Sequence, residues 1–342
     1  MPQNTSSRGY DFGLPPDPVA QPTAVQPDRG SRMTAGQDAG APAAQGAGDT
    51  PLGRKLVEEN QRRRRLQRVQ LERPEQTRIV TVSNQKGGVG KTSTAVNLAV
   101  ALAEQGLHVL VVDNDPQGNA STALGVPHGS EVDGVYDVLV DEMELEQVVA
   151  PSPESERIVV APATIDLAGA EIELVSMVAR EQRLSRAIAQ YAKAREAAGL
   201  ERLDYVFIDC PPSLGLLTIN AFVAATEVLI PIQCEYYALE GLSQLLNNIG
   251  MIQKHLNPDL HVSTILMTMY DGRTNLSSQV ADEVRQHFPD KVLETMIPRS
   301  VRISEAPSYQ QSVITYDPQS TGALSYLEAA AEIAARGVPT AS

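Results

Sequence analysis

The 342-residue sequence lacks the features of several protein classes. Its two cysteines, Cys210 and Cys234, are too few for a disulfide framework, and we expect both to be buried, inert thiols. It contains no apolar run of about 18 residues, the length needed to cross a bilayer. It shows no secretory leader and no internal repeat. These absences predict a cytoplasmic protein that does not span a membrane.

Basic residues are scarce outside the N-terminal region. Residues 1–74 contain 11 Lys and Arg against 8 Asp and Glu, whereas the rest of the chain contains 17 against 34. An acidic body of this kind argues against indiscriminate nucleic-acid binding. Any contact with nucleic acid would therefore require a local basic patch.

The N-terminal region differs in composition from the rest of the chain. Residues 1–52 are rich in Pro, Gly, Ala, Gln and Asp, so they bury too little apolar surface to offset their ordering entropy, and we predict disorder. Residues 53–75 contain good helix formers and the run Arg62–Arg65, which indicates a helix or a tether. The run is either a solvated face or a handle for nucleic acid or for a partner such as a polar scaffold. A membrane-surface helix is disfavoured, because its apolar face is thin.

From Thr77 onwards, apolar runs alternate with helical segments, and we assign residues 76–338 to one domain. Seven runs are predicted strands: "RIVTVS", "HVLVVD", "RIVVAP", "YVFIDC", "EVLIPIQ", "STILMTMY" and "KVLETMI". They are largely apolar rather than alternating, which is typical of strands buried on both faces. The predicted fold is therefore α/β: a mostly parallel, doubly wound P-loop NTPase sheet with helices on both faces.

The stretch "NQKGGVGKTS", Asn84 to Ser93, joins the first strand to the first helix of this domain. Glycines in such a loop let backbone N–H groups converge on phosphate oxygens, and the helix N-terminus adds its positive end. Lys91 is predicted to reach the β- and γ-phosphates, Thr92 to bind Mg²⁺ and Ser93 to contact the α-phosphate. The strict P-loop signature fails, since Gln85 replaces its first glycine.

Acidic residues end two other strands. Asp209 closes "YVFID" and has the type and place of a carboxylate that holds a Mg²⁺-bound water. Asp113 and Asp115 follow "HVLVV", at the strand end that faces the ligand crevice of an open α/β sheet, where they could serve the metal and orient the attacking water. Together with the loop, these residues predict a nucleoside-triphosphate hydrolase.

At "KGGVGKT", "VVDNDPQGNAS" and "FIDCPPSLGLLTINA" the sequence resembles the ParA/Soj family of chromosome- and plasmid-partitioning ATPases, in the deviant-Walker-A group that includes MinD. The resemblance extends over residues 77–335. It implies ATP and Mg²⁺ as cofactors and an ATP-dependent homodimer with nucleotide sandwiched between subunits. In that dimer Lys86 would reach the partner's phosphates and Asp115 would position the hydrolytic water. The nucleotide-binding residues that it implies are Lys86, Gly87 (also at the dimer contact), Gly88, Val89, Gly90, Lys91, Thr92, Ser93, Pro298 and Ser300, the last two beside the adenine, with Thr92, Asp115 and Asp209 at the metal.

The same resemblance implies nonspecific binding of double-stranded DNA by the ATP-bound dimer, through Arg273 in "DGRTN" and Arg302 in "RSVRIS". It also implies a ParB-type partner that stimulates hydrolysis and release, and a nucleoid-associated location. The main alternative is a MinD-like membrane ATPase that positions cell division. That class needs a basic amphipathic C-terminal helix, whereas "GALSYLEAAAEIAARGVPTAS" contains more acidic than basic residues. A cluster-bearing reductase and an ATP-dependent synthetase are weaker alternatives, because the cysteines match cluster ligands poorly and no substrate pocket is evident.

Overall fold

The computed structural model describes residues 50–66, 68–236 and 238–336. Most of the predicted disordered tail, residues 1–49, lies outside the described residues. The central sheet has seven strands in the order β3-β4-β2-β5-β1-β6-β7. All neighbouring strands are parallel except the edge pair β3 and β4. The strands are β1 Arg78–Val82, β2 Val109–Asp113, β3 Ala150–Ser152, β4 Ser155–Ala161, β5 Tyr205–Asp209, β6 Glu227–Gln233 and β7 His261–Thr268.

Helices cover both faces of this sheet. Alternate residues of each central strand contribute to different clusters of buried apolar side chains. One cluster includes side chains of Lys91–Glu104 and Thr321–Arg336, on one face of the sheet. The other two include side chains of the four helices between Arg183 and His287. The helices are α1 Pro51–Leu66, α2 Lys91–Glu104, α3 Asn119–Ala123, α4 Val135–Leu139, α5 Leu145–Val148, α6 Leu167–Glu173, α7 Arg183–Ala197, α8 Leu216–Ala224, α9 Ala238–His255, α10 Asn275–His287, α11 Val301–Glu305, α12 Val313–Tyr316 and α13 Thr321–Arg336. The doubly wound α/β prediction is confirmed.

One predicted strand, "KVLETMI", was wrong. Residues 291–297 run beside β7 without forming a regular ladder: Val292 makes an isolated bridge with Ile265, and the Ile297 N–H donates to the Met267 carbonyl at 2.8 Å. The backbone N–H groups of Glu294 and Thr295 donate instead to the carboxylate of Glu332 in α13, at 2.8 and 3.1 Å. Because a side chain captures these donors, a regular ladder cannot continue. The seventh strand is instead the three-residue edge strand β3, which the sequence pattern did not indicate.

Two further expectations can be compared with the structure. Cys210 and Cys234 are both free and buried, as predicted. Across the described part of the chain, no helix combines the length and apolar character required to cross a membrane.

Candidate phosphate and metal site

The phosphate loop and the two acidic strand ends meet at one edge of the sheet. In the strand register Asp209 lies opposite Val82 of β1 on one side and opposite Asp113 of β2 on the other. The loop begins two residues after Val82. Parallel pairing of three adjacent strands therefore places the loop and both carboxylates side by side, as the sequence indicated.

The loop has the conformation of an anion cradle. Gly88 and Gly90 adopt φ angles of 74° and 87°, a left-handed region that other residues occupy only with strain. The loop is tied to neighbouring strands, since the Thr268 hydroxyl donates to the Val89 carbonyl at 2.8 Å and the Asn84 amide donates to the Pro231 carbonyl at 2.8 Å. Gly90 precedes α2 and offers no side-chain cap, so the first N–H groups of α2 can serve an anion.

Lys91 lies inside this cradle. The residue is only 7% exposed, and its Nζ donates to the Lys86 carbonyl of the same loop at 3.3 Å. Burial lowers the pKa of Lys91, while the nearby carboxylates of Asp209 and Asp115 act in the opposite direction. A desolvated ammonium held by one long hydrogen bond is well placed to bind a phosphate oxygen.

Asp209 is the most unusual group of the site. It is fully buried, and neither of its carboxylate oxygens has a hydrogen-bond partner among the described residues. Burial, followed by the charge of Asp113, raises the pKa of Asp209 well above its usual value. The Thr92 hydroxyl favours the ionised form but lies outside normal hydrogen-bond geometry. Buried acceptors without donors are costly in the free protein, and a hydrated Mg²⁺ would satisfy them.

Asp113 and Asp115, grouped together by the sequence, differ in the structure. The Asp113 carboxylate accepts hydrogen bonds from both the backbone and the hydroxyl of Ser121, each at 2.7 Å. Burial raises the pKa of Asp113 to about 6, although these bonds partly oppose the shift. Asp115 is 8% exposed, and one of its oxygens accepts from the Gln117 backbone at 3.1 Å. Asp113 therefore anchors the loop that follows β2, and Asp115 is better placed to contact a ligand.

The residues present fit Mg²⁺ bound together with phosphate. Within the described ranges, no three Asp, Glu, His or Cys side chains are grouped as a metal cage. Mg²⁺ is ordinarily held by one or two carboxylates, phosphate oxygens and water rather than by a dedicated protein cage. The orphaned carboxylate of Asp209 and the adjacent Thr92 supply such a partial set.

The cations predicted to act outside this site all carry intramolecular partners. The half-exposed Lys86 forms an ion pair with Glu235, which follows β6. Arg273 pairs with Asp271 at 2.7 Å. Arg302 pairs with Glu305 at 3.2 Å and with Asp317 at 3.3 Å. We refer to Lys86, Arg273 and Arg302 as the rim cations.

The residues predicted beside the adenine are only partly brought to the loop. Ser300 precedes α11, and Ile303 of that helix lines a cavity of about 220 Å³ together with Thr92 and Ser93. Pro298 lines a different cleft of about 920 Å³, between α1 and α13. Sequence reasoning missed Thr268, Asn84 and Glu235. Thr268 lies within a predicted strand and Asn84 directly follows another, but nothing local marks Glu235 as the partner of Lys86.

Known proteins resemble this chain in sequence. The family model described as "AAA domain" matches residues 77–262. The sporulation initiation inhibitor protein Soj of Bacillus subtilis is 54% identical over 260 residues, which cover 76% of this chain and 99% of the relative. The chromosome partitioning protein ParA of Myxococcus xanthus is 48% identical over 262 residues, covering 77% and 89%.

Solved structures agree with these relatives. A Mycobacterium smegmatis protein named cobyrinic acid a,c-diamide synthase, with bound ADP and magnesium, is 38% identical with a TM-score of 0.63, covering 74% of this chain and 92% of that one. The septum site-determining protein MinD of Pyrococcus horikoshii, complexed with Mg-ADP, is 27% identical with a TM-score of 0.60, covering 74% and 94%. The chain belongs to the ParA/Soj family of chromosome-partitioning ATPases.

Proposed function

We propose that the protein is a DNA-segregation ATPase in which bound ATP drives a homodimer that binds duplex DNA nonspecifically. The observation that carries the proposal is the contrast between two lysines of one loop. Lys91 is buried at the phosphate cradle, whereas Lys86 stands on its exposed rim. A single cradle requires one lysine, so the second is free to act on a second nucleotide.

Within one subunit, the residues have distinct tasks in ATP hydrolysis. Lys91 and the N–H groups of Gly88 to Ser93 bind the phosphates, and Thr92 and Asp209 would hold Mg²⁺. The metal would neutralise charge on the β- and γ-phosphates. Asp115 orients the attacking water. Two of the solved neighbours contain ADP and magnesium, which supports the nucleotide and the metal in this scheme.

In the dimer, Lys86 would exchange Glu235 for the partner's phosphates. A cation supplied in trans links hydrolysis to dimerisation, as an arginine finger does. Gly87 supports this arrangement: among the described residues a Cβ atom built there would meet no atom within 4 Å, so none of them requires a glycine at this position. A requirement for glycine would come from close approach of a second subunit.

Arg273 and Arg302 are the proposed DNA contacts. Both are exposed, and the body around them is acidic. With two phosphate contacts per subunit, the dimer makes about four such contacts. The logarithm of the DNA-binding constant should then fall with the logarithm of the salt concentration with a slope of roughly −3.6. Affinity should drop by about 10² between ~50 and ~200 mM salt. A ParB-type protein would stimulate hydrolysis and thereby release the DNA.

The MinD-like membrane function is the weaker candidate. The MinD neighbour is 27% identical, against 54% and 48% for the Soj and ParA relatives. The last described helix, α13, buries its apolar residues against α2 in the main core. That face is therefore occupied by the protein itself.

The deciding experiment is duplex DNA binding at about 100 mM salt, where counterion release still permits weak phosphate contacts. Purified protein would be tested without nucleotide, with ADP and with a slowly hydrolysed ATP analogue. Binding is expected only with the analogue, and it should be lost in Lys91→Ala and Arg302→Ala. Arg186→Ala, which removes an exposed arginine of α7, should bind normally. Failure to bind under every condition, with intact ATP hydrolysis, would refute the proposal.

A further inference from the structure

Helix α1 lies outside the segment matched by the family model, yet it is bonded to the ATPase body. Arg62 forms a bidentate ion pair with Glu328 of α13, with Nε at 2.9 Å, and also donates to the Ser325 hydroxyl at 3.3 Å. Arg63 donates to the carbonyls of Pro318 and Gln319 at 2.9 and 2.6 Å. Two of the four consecutive arginines thus fasten the helix to the body.

The segment that follows α1 is fastened as well. Arg73 donates to the fully buried carboxylate of Asp204 and to Glu201, both at 2.9 Å. Arg202 donates to the backbone carbonyls of Pro74 and Glu75. Bonds from the C-terminal half of α1 and from the segment that follows it give α1 a fixed position, rather than that of a free tether.

That position is next to a rim cation. The turn between α12 and α13 presents the Asp317 carboxylate to Arg302, while the carbonyls of the next two residues accept from Arg63. One short turn therefore contacts both the proposed DNA-binding arginine and the arginine run of α1. The C-terminal half of α1 adjoins the proposed DNA surface.

The remaining arginines of this region have different surroundings. Arg65 lines the cleft of about 920 Å³ whose walls also carry Glu294, Glu328 and Glu332, an environment that disfavours phosphate. Arg64 and Arg68 are exposed, and within the described part of the chain neither side chain has a hydrogen bond or ion pair. Arg64 belongs to the last turn of α1, and Arg68 follows the helix in a turn in which its backbone N–H donates to the Arg65 carbonyl at 3.0 Å, so the two residues are close along the chain.

We propose that Arg64 and Arg68 extend the DNA-binding surface of Arg302, with α1 docked so that they contact the phosphate backbone of the same duplex. The inference rests on the proposed DNA binding and assigns a role to a segment outside the matched family region. Nonspecific duplex DNA is the partner that the charges favour, because both arginines are exposed on an otherwise acidic body and Arg63, next to Arg64, binds the turn that also pairs with Arg302.

The expected effect is a change in salt dependence. Two additional phosphate contacts per subunit add about four per dimer, so the log–log salt slope should be steeper by roughly 3.6 units than Arg273 and Arg302 alone provide. Removing them should restore the shallower slope and reduce affinity by about 10² more at ~50 mM than at ~200 mM salt.

The test measures duplex DNA affinity of the full chain with a slowly hydrolysed ATP analogue across a salt series. Arg64→Ala/Arg68→Ala should lose the added slope, whereas Arg64→Lys/Arg68→Lys should retain it, because phosphate attraction needs only charge. Arg186→Ala/Lys193→Ala is the matched control, since it removes two exposed cations from α7. ATP hydrolysis and the unfolding temperature should be unchanged in all variants.

The outcomes separate the two proposals. An unchanged slope in Arg64→Ala/Arg68→Ala, or an equal loss in the α7 control, would overturn the role of α1 and leave ATP-dependent DNA binding intact. If the unaltered protein shows no ATP-dependent DNA binding, the proposed function itself fails, and the role of α1 fails with it.

Discussion

Charged side chains at the buried end of the phosphate loop form few hydrogen bonds, whereas those on its exposed rim are paired with carboxylates. At the buried end, Lys91 has a single long hydrogen bond, and Asp209 has no hydrogen-bond partner among the described residues. On the rim, Lys86, Arg273 and Arg302 are each exposed and paired with a carboxylate. The buried charges are arranged for a ligand, whereas the rim cations must exchange one partner for another.

This difference has an energetic consequence. An unsatisfied buried carboxylate destabilises the free protein, and the ligand removes that penalty. An exposed ion pair contributes only about 0–1 kcal/mol, so replacing a rim carboxylate with a phosphate is nearly neutral within one subunit. Nucleotide affinity should therefore depend mainly on the buried end of the loop. Coupling of the nucleotide to a second subunit or to DNA should depend mainly on the rim cations.

Lys86→Ala should produce the largest effect on turnover. If Lys86 acts in trans, its loss should reduce hydrolysis under dimer-forming conditions by about 10³-fold, the lower range for an arginine finger. ATP-analogue binding by the monomer should change little, because the exposed Lys86 side chain is paired with Glu235. Steady-state hydrolysis and nucleotide titration measure the two effects. Normal turnover in this variant would refute the role in trans.

Lys91→Ala should reduce both ATP hydrolysis and binding of the ATP analogue, and this distinguishes Lys91 from Lys86. Removing the cation from the cradle should reduce hydrolysis by about 10²–10³-fold, as for loss of one transition-state donor. Unlike Lys86→Ala, it should also weaken binding of the ATP analogue, which titration would show. If this variant binds the analogue as tightly as the unaltered protein, Lys91 does not contribute to phosphate binding.

Asp209→Asn should impair magnesium-dependent hydrolysis less than Lys86→Ala does, yet stabilise the nucleotide-free protein by about 1–3 kcal/mol near pH 8, because it removes a buried carboxylate without donors. The sign of the pH dependence follows from the raised pKa of Asp209. Between the usual Asp value and the raised one, the folded state holds a proton that the unfolded state has lost, so wild-type stability falls as pH rises.

The advantage of Asp209→Asn should therefore widen with increasing pH, and denaturant unfolding at several pH values measures it. Asp113→Asn is a useful comparison, because Ser121 already satisfies that carboxylate. A variant at Asp209 that is less stable than wild type at every pH would show that the carboxylate is not the source of strain.

Much of the fold could be predicted because its signals are local. Six of the seven predicted strands occur where continuous apolar runs indicated them, and the loop was recognisable from the strand before it and the helix after it. The failure at residues 291–297 has a distant cause, the carboxylate of Glu332, about 38 positions along the chain from Glu294. No pattern within the run reveals that its N–H groups are captured.

The same distinction applies to the site. Asp209 and Lys91 were identifiable, since a charged residue at the end of a buried strand or within a glycine-rich loop is unusual. The separate tasks of Asp113 and Asp115 depend on Ser121, which the fold brings back to the strand end. The ion pair of Lys86 joins residues 149 positions apart, so only the folded chain shows it.

Glu235→Gln should have the smallest effect, and it tests the exchange on the rim directly. The change leaves Lys86 in place but removes its charged partner, which is worth about 0–1 kcal/mol for an exposed pair, or at most roughly fivefold in an equilibrium constant. We expect dimerisation with the ATP analogue to strengthen by no more than that factor, measured by sedimentation. Lys86→Ala combined with Glu235→Gln should show no gain, because no lysine remains to be released. Weaker dimerisation of the single variant would indicate that Glu235 helps to hold the partner, rather than competing with it for Lys86.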